Sequence, residues 1–143
     1  DYILPFGKGR IAHEADDAGN GPSLCVVTYG MGVYWAIAAA RDYPGKVEVI
    51  DLRTLFPLDE ELIYERVQKH SRCLVVTEEP VNNSFAQGVA ALVQQNCFEY
   101  LDAPVRVLGS ENMPAIPLNS TLEATMIPDA NKVSRAIGEV LAY

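Results

Sequence analysis

The sequence predicts an α/β fold in which helices cover both faces of a mostly parallel β-sheet. Short runs of apolar and β-branched residues alternate with longer segments of helical periodicity along the whole chain. The apolar runs show little alternation with polar residues, as in strands that are buried on both faces. The chain has 143 residues, 49% of them hydrophobic, which suits one domain with its own core.

The strands are predicted where apolar and β-branched residues run together between turn signals. The first run, GRIAHEA, is short and is followed by the polar turn DDAGNGPS. The next three runs are almost continuously apolar, and the last, PVRVLG, leads into a proline-broken loop, SENMPAIPLNST. In chain order the predicted strands cover 9–15, 24–30, 46–52, 72–79 and 104–109.

The first predicted helix, 31–43, begins after a glycine-containing turn and ends before Pro44 and Gly45. The second, 58–71, has Asp59 near its start and a basic last turn, where the helix dipole favours cations. We expect its His70 to be solvated. The apolar faces are predicted to be Trp35, Ala38 and Ala39 in the first helix and Leu62, Ile63 and Val67 in the second.

The third predicted helix, 84–101, is the longest, and Ser84 is its expected N-cap. The last, 129–143, is entered through Pro128 with Asp129 as its cap. The expected inward residues of the third helix are Val89, Leu92, Val93 and Phe98.

Composition excludes several kinds of partner. The net charge is −8 and the chain has no basic stripe, so we predict no nucleic-acid partner. No run approaches the roughly 20 apolar residues of a membrane span, which predicts no membrane partner. Cys25, Cys73 and Cys97 lie in apolar stretches without a CxxC spacing. We expect buried thiols in a reducing compartment and no metal site.

A glycine turn between a strand and a helix raises the possibility of nucleotide binding. Gly30 and Gly32 occupy the first two glycine positions of a dinucleotide-binding turn, and Asp51 closes the next strand. Trp35 stands at the third position, where a glycine is needed for close packing, so a turn into a core helix is the stronger interpretation. The helix start at Gly30, Met31 and Gly32 is a weak candidate for an anion site.

No complete catalytic constellation is visible. His13 and Glu14 could form an acid–base pair or lie on the surface, and Ser84 is not in a GxSxG turn. Glu78 and Glu79 end a predicted central strand, where paired carboxylates could act as acid and base or could be solvated interface residues. We therefore predict no catalytic residue in this chain.

Four stretches carry a family resemblance: YGMGVYWAIAAA, VEVIDLRTLFPLDEELI, VVTEEPVNNSFAQGVAALVQQNCFEYLDAPVRVLG and MIPDANKVSRAIGEVLAY. Together they resemble the C-terminal domain of transketolase-like proteins, specifically the β chain of thiamine-diphosphate-dependent 2-oxo acid dehydrogenases. NCFEYLDAPV is closer to the branched-chain (2-oxoisovalerate) type than to the pyruvate type. The resemblance spans the whole chain as one domain of a longer polypeptide, with residues 1–8 as a linker from a preceding domain.

The resemblance implies a three-layer α/β/α sandwich with about five strands, mostly parallel, the first strand antiparallel. It places thiamine diphosphate and Mg²⁺ in other domains of the parent enzyme, so we expect no cofactor here and no activity from this domain alone. The implied partners are the α chain or N-terminal domains, a second β chain and the subunit-binding domain of the lipoyl acyltransferase. The candidate docking residues are Glu111 and Tyr143.

The resemblance also implies a bacterial cytoplasmic location, or the mitochondrial matrix if the source is eukaryotic. Two other functions stay open. The chain could be the same domain of a transketolase or a 1-deoxyxylulose-phosphate synthase, or it could be a free-standing nucleotide-binding module that uses Gly30, Gly32 and Asp51.

Overall fold

Strands and helices alternate along the chain as the sequence predicts. The computed structural model describes residues 2–143. The strands are β1 (Arg10–His13), β2 (Leu24–Thr28), β3 (Val47–Asp51), β4 (Cys73–Pro80) and β5 (Arg106–Ser110). The helices are α1 (Met31–Ala40), α2 (Glu60–His70), α3 (Phe85–Cys97), α4 (Ser120–Met126) and α5 (Ala130–Leu141), with a 3-10 turn over Phe98–Tyr100.

Within residues 2–143 the five strands form one sheet in the order β1-β3-β2-β4-β5. β1 is antiparallel to β3, and the other neighbours are parallel, which confirms the predicted sheet. Val26, in the centre of β2, is paired with Val49 on one side and Leu74 on the other. The chain passes from β2 to β3 on one side and then crosses back to β4 on the other. The carboxyl ends of β2 and β4 therefore border a topological switch point.

Helices pack on both faces of the sheet, so the predicted three-layer arrangement is confirmed. α1 and α5 pack together over one face, where Val26, Val49 and Leu74 join Ile137 in the core. α2 and α3 cover the other face, on which Val27, Ile50 and Val75 lie, and all three cysteines are buried there as free thiols. Each central strand is thus apolar on both faces, which explains the lack of alternation in the sequence.

The predicted caps Ser84 and Asp129 are confirmed, and Asp59, predicted only to lie near the start of its helix, caps α2. Each of these three side chains accepts a hydrogen bond from the backbone N–H three residues later. The shortest of these joins Lys132 N to Asp129 Oδ1 at 2.7 Å. Each side chain satisfies an amide that helix geometry leaves without a partner at the first turn.

Two predicted inward positions, Ala38 and Phe98, were wrong. Ala38 is exposed and Trp35 only half-buried, because α1 buries Gly32, Val33, Ala36, Ala39 and Ala40 instead. Phe98 is 68% exposed. The buried positions of α3 recur every four residues at Val89, Val93 and Cys97, so a residue directly after Cys97 is turned away from the sheet.

Helix α4 begins inside the segment 110–121, which its prolines lead us to predict as a loop. Asn119 caps it by accepting hydrogen bonds from Thr121 N and Leu122 N. Lys132 of α5 donates from Nζ to the carbonyl oxygens of Thr125 and Ile127 at its other end, at 3.1 and 2.6 Å. The end of this short helix thus depends on a contact from α5, which its own sequence pattern does not reveal.

Gly32 lets helix α1 approach the sheet closely. A Cβ at this position would overlap Thr28 Oγ1 and would lie 3.4 Å from the carbonyl oxygen of Val76. Thr28 Oγ1 donates a 2.8 Å hydrogen bond to that same carbonyl, so it is not free to move away. The second glycine of the turn therefore has a packing role between helix and strand.

A buried charged cluster lies at the opposite end of the sheet. Glu48 of β3 is fully buried, and its carboxylate lies 3.2 Å from Lys69 Nζ, 3.3 Å from His70 Nε2 and 3.9 Å from Arg66 Nε. His70 is also buried, and its Nδ1 lies 2.8 Å from Ser23 Oγ. The expectation that His70 is solvated was wrong, because the last turn of α2 lies over the starts of β2 and β3.

Burial alone would raise the pKa of Glu48. Contacts with His70 and Lys69 outweigh the effect of burial and lower this pKa below its usual value.

We expect Gly32→Ala to destabilise the fold by about 1–3 kcal/mol, because the added methyl group overpacks the contact with Thr28. The measurement is the free energy of unfolding in urea. Gly88→Ala is the matched control: Gly88 lies inside α3 with open space around its missing Cβ. That change should stabilise by about 0.5–1 kcal/mol through helix propensity. Equal effects at the two glycines would contradict the packing role.

Glu48 is expected to make stability depend on pH in the acid range. Because its folded-state pKa lies below the unfolded value of about 4.3, the ionised carboxylate stabilises the fold above that pH, and the contribution is lost as pH falls through the folded-state pKa. Glu48→Gln should lower the free energy of unfolding by about 1–3 kcal/mol at pH 7 and flatten its decline between pH 6 and 3. Glu99→Gln, an exposed control, should keep the original slope.

Candidate functional site

The switch point between β2 and β4 contains an open crevice of about 520 Å³. Tyr29, Gly30 and Met31 border it where β2 runs into α1, and Thr77 to Pro80 border it at the end of β4. Its apolar walls are Met31, Leu55, Phe85 and Ile116. We call this cavity the switch-point crevice. Crevices at this position of open α/β sheets are where ligands bind most often.

A hydrogen-bond network fixes the polar wall of the switch-point crevice. Glu79 Oε1 accepts a short hydrogen bond from Tyr29 O–H and is 3.1 Å from both Thr77 Oγ1 and Phe85 N. The Tyr29 ring packs edge-on against Phe85, with 5.9 Å between the ring centroids. Burial, followed by the hydrogen bond to Glu79, raises the pKa of Tyr29 to about 12, so its hydroxyl keeps its proton near neutral pH.

The predicted anion-site residues lie at the rim of this crevice. Gly30 has φ of +58° and precedes α1, whose N-terminus has no side-chain cap. Met31 is exposed, whereas Gly32 is buried against Thr28. The anion site remains a prediction, but the charged side chains that line the crevice are Glu78 and Glu79, which repel an anion. This lining does not fit the diphosphate of a thiamine or dinucleotide cofactor.

Asp51 is already engaged by its own domain. Its Oδ2 lies 3.2 Å from Arg10 Nε, and its Oδ1 accepts a 3.2 Å hydrogen bond from Arg53 N. The carboxylate therefore joins β1 to β3 and closes the turn after β3. In a dinucleotide-binding domain the corresponding carboxylate is free to bind a ribose hydroxyl.

The two predicted docking residues are not brought together. Glu111 follows β5 and lines a groove with Arg106, Lys132 and Arg135. Tyr143 follows α5 and borders a separate cavity. The twelve residues of α5 separate the two ends by roughly 18 Å.

Glu111 belongs to an acidic and apolar surface at the carboxyl end of the sheet. Glu78 and Glu111 are held near each other because Ser110 Oγ donates to the carbonyl oxygen of Glu78 at 2.5 Å. Glu111 N in turn donates to Met126 O at the end of α4. We define the carboxyl-edge patch as Glu78, Glu111, Met113, Ile116, Leu118, Leu122 and Glu123; its four apolar side chains are exposed.

The other residues considered from the sequence have local roles. Ser84 caps α3, and His13 is half-buried at the end of β1. Among residues 2–143, no three His, Cys, Asp or Glu side chains are grouped so that they could hold a metal ion. In the same part of the chain, no helix is both long and apolar enough to cross a bilayer.

Sequence reasoning missed two clusters that the structure shows. Glu48 is an acidic residue between two valines inside the apolar run of β3, which is a signal for a buried, neutralised charge. The sequence pattern places Tyr29 only at the glycine turn after β2. Its pairing with Glu79 depends on β2 and β4 being neighbours in the sheet, and that adjacency links residues fifty positions apart.

The structure defines a class: three-layer α/β/α domains with one antiparallel edge strand and a crevice at the switch point. Residues 13–133 match the family model described as "Transketolase, C-terminal domain". The chain belongs to this family, as the resemblance predicted. A split-gene transketolase, solved as an inactive β4 tetramer, has the same fold. It superposes with a TM-score of 0.76 at 20% identity, covering 99% of this chain and 44% of that one.

Two curated relatives are β subunits of 2-oxo acid dehydrogenases. The chain is 36% identical to the 2-oxoisovalerate dehydrogenase subunit beta of Bacillus subtilis, over 100% of this chain and 43% of that protein. It is 34% identical to the pyruvate dehydrogenase E1 component subunit beta of Rhizobium meliloti, over 98% of this chain and 30% of that protein. The chain thus spans less than half the length of these relatives.

Proposed function

We propose that this chain is the C-terminal assembly and docking domain of the β chain of a 2-oxo acid dehydrogenase. The observation that carries the proposal is the match to β subunits over nearly the whole chain at 34–36% identity. The parent enzyme decarboxylates a 2-oxo acid oxidatively and transfers the acyl group to lipoyl. Thiamine diphosphate and Mg²⁺ are bound by other domains of that enzyme, since the switch-point crevice presents carboxylates where a diphosphate needs donors and cations.

The branched-chain acid 2-oxoisovalerate is the substrate we propose for the parent. The identity to the Bacillus subtilis relative, slightly above that to the pyruvate dehydrogenase subunit, supports this choice. A pyruvate-type parent is the next candidate, followed by a transketolase or a 1-deoxyxylulose-phosphate synthase. The proposed location is the bacterial cytoplasm, or the mitochondrial matrix in a eukaryote.

The carboxyl-edge patch is the proposed docking surface for the subunit-binding domain of the lipoyl acyltransferase. Within residues 2–143, no Lys, Arg or His nitrogen lies within 4.0 Å of the carboxylates of Glu78, Glu111 or Glu123. Exposed apolar side chains surrounded by unpaired carboxylates suit a partner with an apolar centre and a basic rim. The net charge of −8 favours the same encounter.

The surface around Tyr143 is the second contact region in this proposal. Tyr143 and Phe98 are both about two-thirds exposed, and Leu101 lines the cavity beside them. Large exposed aromatic side chains next to a cavity are typical of protein interfaces. The α chain and a second β chain are the other proposed partners of the domain in the parent assembly.

Charge reversal at Glu111 tests the docking proposal. In the full dehydrogenase component, Glu111→Lys should weaken binding of the acyltransferase's subunit-binding domain by about tenfold, mainly through slower association. Glu14→Lys is the matched control, because Glu14 is exposed directly after β1 and belongs to neither proposed contact region. Surface plasmon resonance at two salt concentrations provides the rates. Equal weakening by both variants would indicate a general charge effect and contradict docking at the patch.

Tyr143→Ser separates the two contact regions in the same assay. If one partner spans both ends of α5, this variant weakens acyltransferase binding as well. If Tyr143 contacts another chain of the dehydrogenase component, the variant leaves acyltransferase binding unchanged and lowers the mass of the assembly in analytical ultracentrifugation. A variant that changes neither measurement would exclude Tyr143 from docking and assembly.

Activity measurements test the parent's reaction. The complete enzyme should show a higher kcat/KM for 2-oxoisovalerate than for pyruvate, measured as CO₂ release with an artificial electron acceptor. The 143-residue chain alone should release no CO₂ from either acid and should give no heat on titration with thiamine diphosphate. A preference for pyruvate would support the alternative dehydrogenase, and transfer between sugar phosphates would support a transketolase.

A further inference from the structure

The switch-point crevice contains a fixed carboxylate without a cation. Glu79 is half-buried, and three donors hold its Oε1: Tyr29 O–H, Thr77 Oγ1 and Phe85 N. In the part of the chain that the structure describes, no donor reaches Oε2. No Lys, Arg or His nitrogen lies within 4.0 Å of either oxygen in that same part. The carboxylate is oriented but not neutralised.

Among residues 2–143, the two acidic residues that are buried both have cations near their carboxylates, unlike the half-buried Glu79. Glu48 is surrounded by Lys69, His70 and Arg66. Asp59, which is also buried, has Lys8 at 3.8 Å in addition to its role as a cap. Removing a carboxylate from water costs free energy unless a cation or donors compensate. At Glu79 this compensation is incomplete, and the unpaired side borders the crevice.

The other residues that line the crevice limit which kind of ligand can bring a positive charge to Glu79. Leu55, Phe85 and Ile116 give an apolar lining, and Glu78 adds a second carboxylate at the mouth. The volume of about 520 Å³ lies within the range of small-molecule sites, about 300–1,000 Å³. Phosphates and carboxylates are disfavoured by both glutamates, and a bare metal ion finds no group of ligands among residues 2–143.

We propose that the switch-point crevice binds a small primary amine with an apolar body. Its ammonium group lies against Glu79 Oε2, and its aliphatic or aromatic part packs against Leu55, Phe85 and Ile116. Tyr29 and Thr77 position the carboxylate and do not contact the apolar part of the ligand. The crevice shares Glu78 and Ile116 with the carboxyl-edge patch, but amine binding is measured without the acyltransferase, so its failure and the failure of docking are distinguishable.

A matched pair of ligands tests the proposal on the unmodified full-length protein. 2-Phenylethylamine and 3-phenylpropanoate share the same aromatic body and differ in the sign of the end group. Isothermal titration calorimetry should show saturable binding of the amine and none of the carboxylate. Isopentylamine, with an aliphatic body, should bind as well. Binding of the carboxylate with equal affinity would overturn the proposal, as would the absence of binding by both amines.

Variants locate the amine. Glu79→Gln retains the shape of the side chain and removes its charge, and it should weaken amine binding by at least about tenfold. Glu99→Gln, exposed at a distance from the crevice, should leave the affinity unchanged. Both variants are checked by thermal melting before titration. Equal affinities in the two variants would show that the amine binds elsewhere.

Methyl NMR gives a second readout that does not depend on the Glu79 variant folding. Met31 lines the crevice and Met126 is buried at the end of α4, so their ε-methyl signals serve as reporter and internal reference. 2-Phenylethylamine should shift the Met31 signal in a saturable manner and leave Met126 in place. A saturable titration without any change at Met31 would overturn the assignment of the amine to the crevice.

Discussion

The buried carboxylate of Glu48 is the constraint on which the packing of α2 against the sheet depends. A carboxylate inside β3 is tolerable only with cations at contact distance, and the last turns of α2 supply them. His70 extends the same cluster to Ser23, directly before β2. The rotation of α2 about its axis is therefore limited by charge as well as by its apolar face, and this limit also keeps Ile63 and Val67 over the sheet.

Charge is arranged differently at the two ends of the strands. At the amino end of β3 and β4, the charged groups lie in contact with opposite charges, as in Glu48 with Lys69 and Arg72 with Asp102. At the carboxyl end, Glu78, Glu79 and Glu111 have no Lys, Arg or His nitrogen within 4.0 Å of their carboxylates in the part of the chain described. Unpaired charge adds little to the stability of the fold, so the carboxyl end is the region where contacts with other molecules are expected.

Local sequence pattern was sufficient for the strands and for the caps at Ser84 and Asp129, because these features depend on a few neighbouring residues. It failed where the burial or the contacts of a residue depend on another element of the fold. Phe98 was expected in the core, but the four-residue recurrence ending at Cys97 turns it outward. His70 was expected in solvent, but a glutamate twenty-two residues earlier faces it. The pairing of Tyr29 with Glu79 could not be predicted either, since it follows from the order of strands in the sheet.

The turn at Gly30 and Gly32 shows why a backbone motif does not by itself specify a ligand. The positive φ of Gly30 and the uncapped start of α1 are features shared with anion-binding turns. Gly32, however, is required for contact with Thr28, and the side chains that face the same space from β4 are carboxylates. A helix N-terminus contributes about half an elementary charge, whereas each ionised glutamate contributes a full one of opposite sign. The electrostatic balance of the crevice therefore favours a cation, although the backbone resembles a phosphate-binding turn.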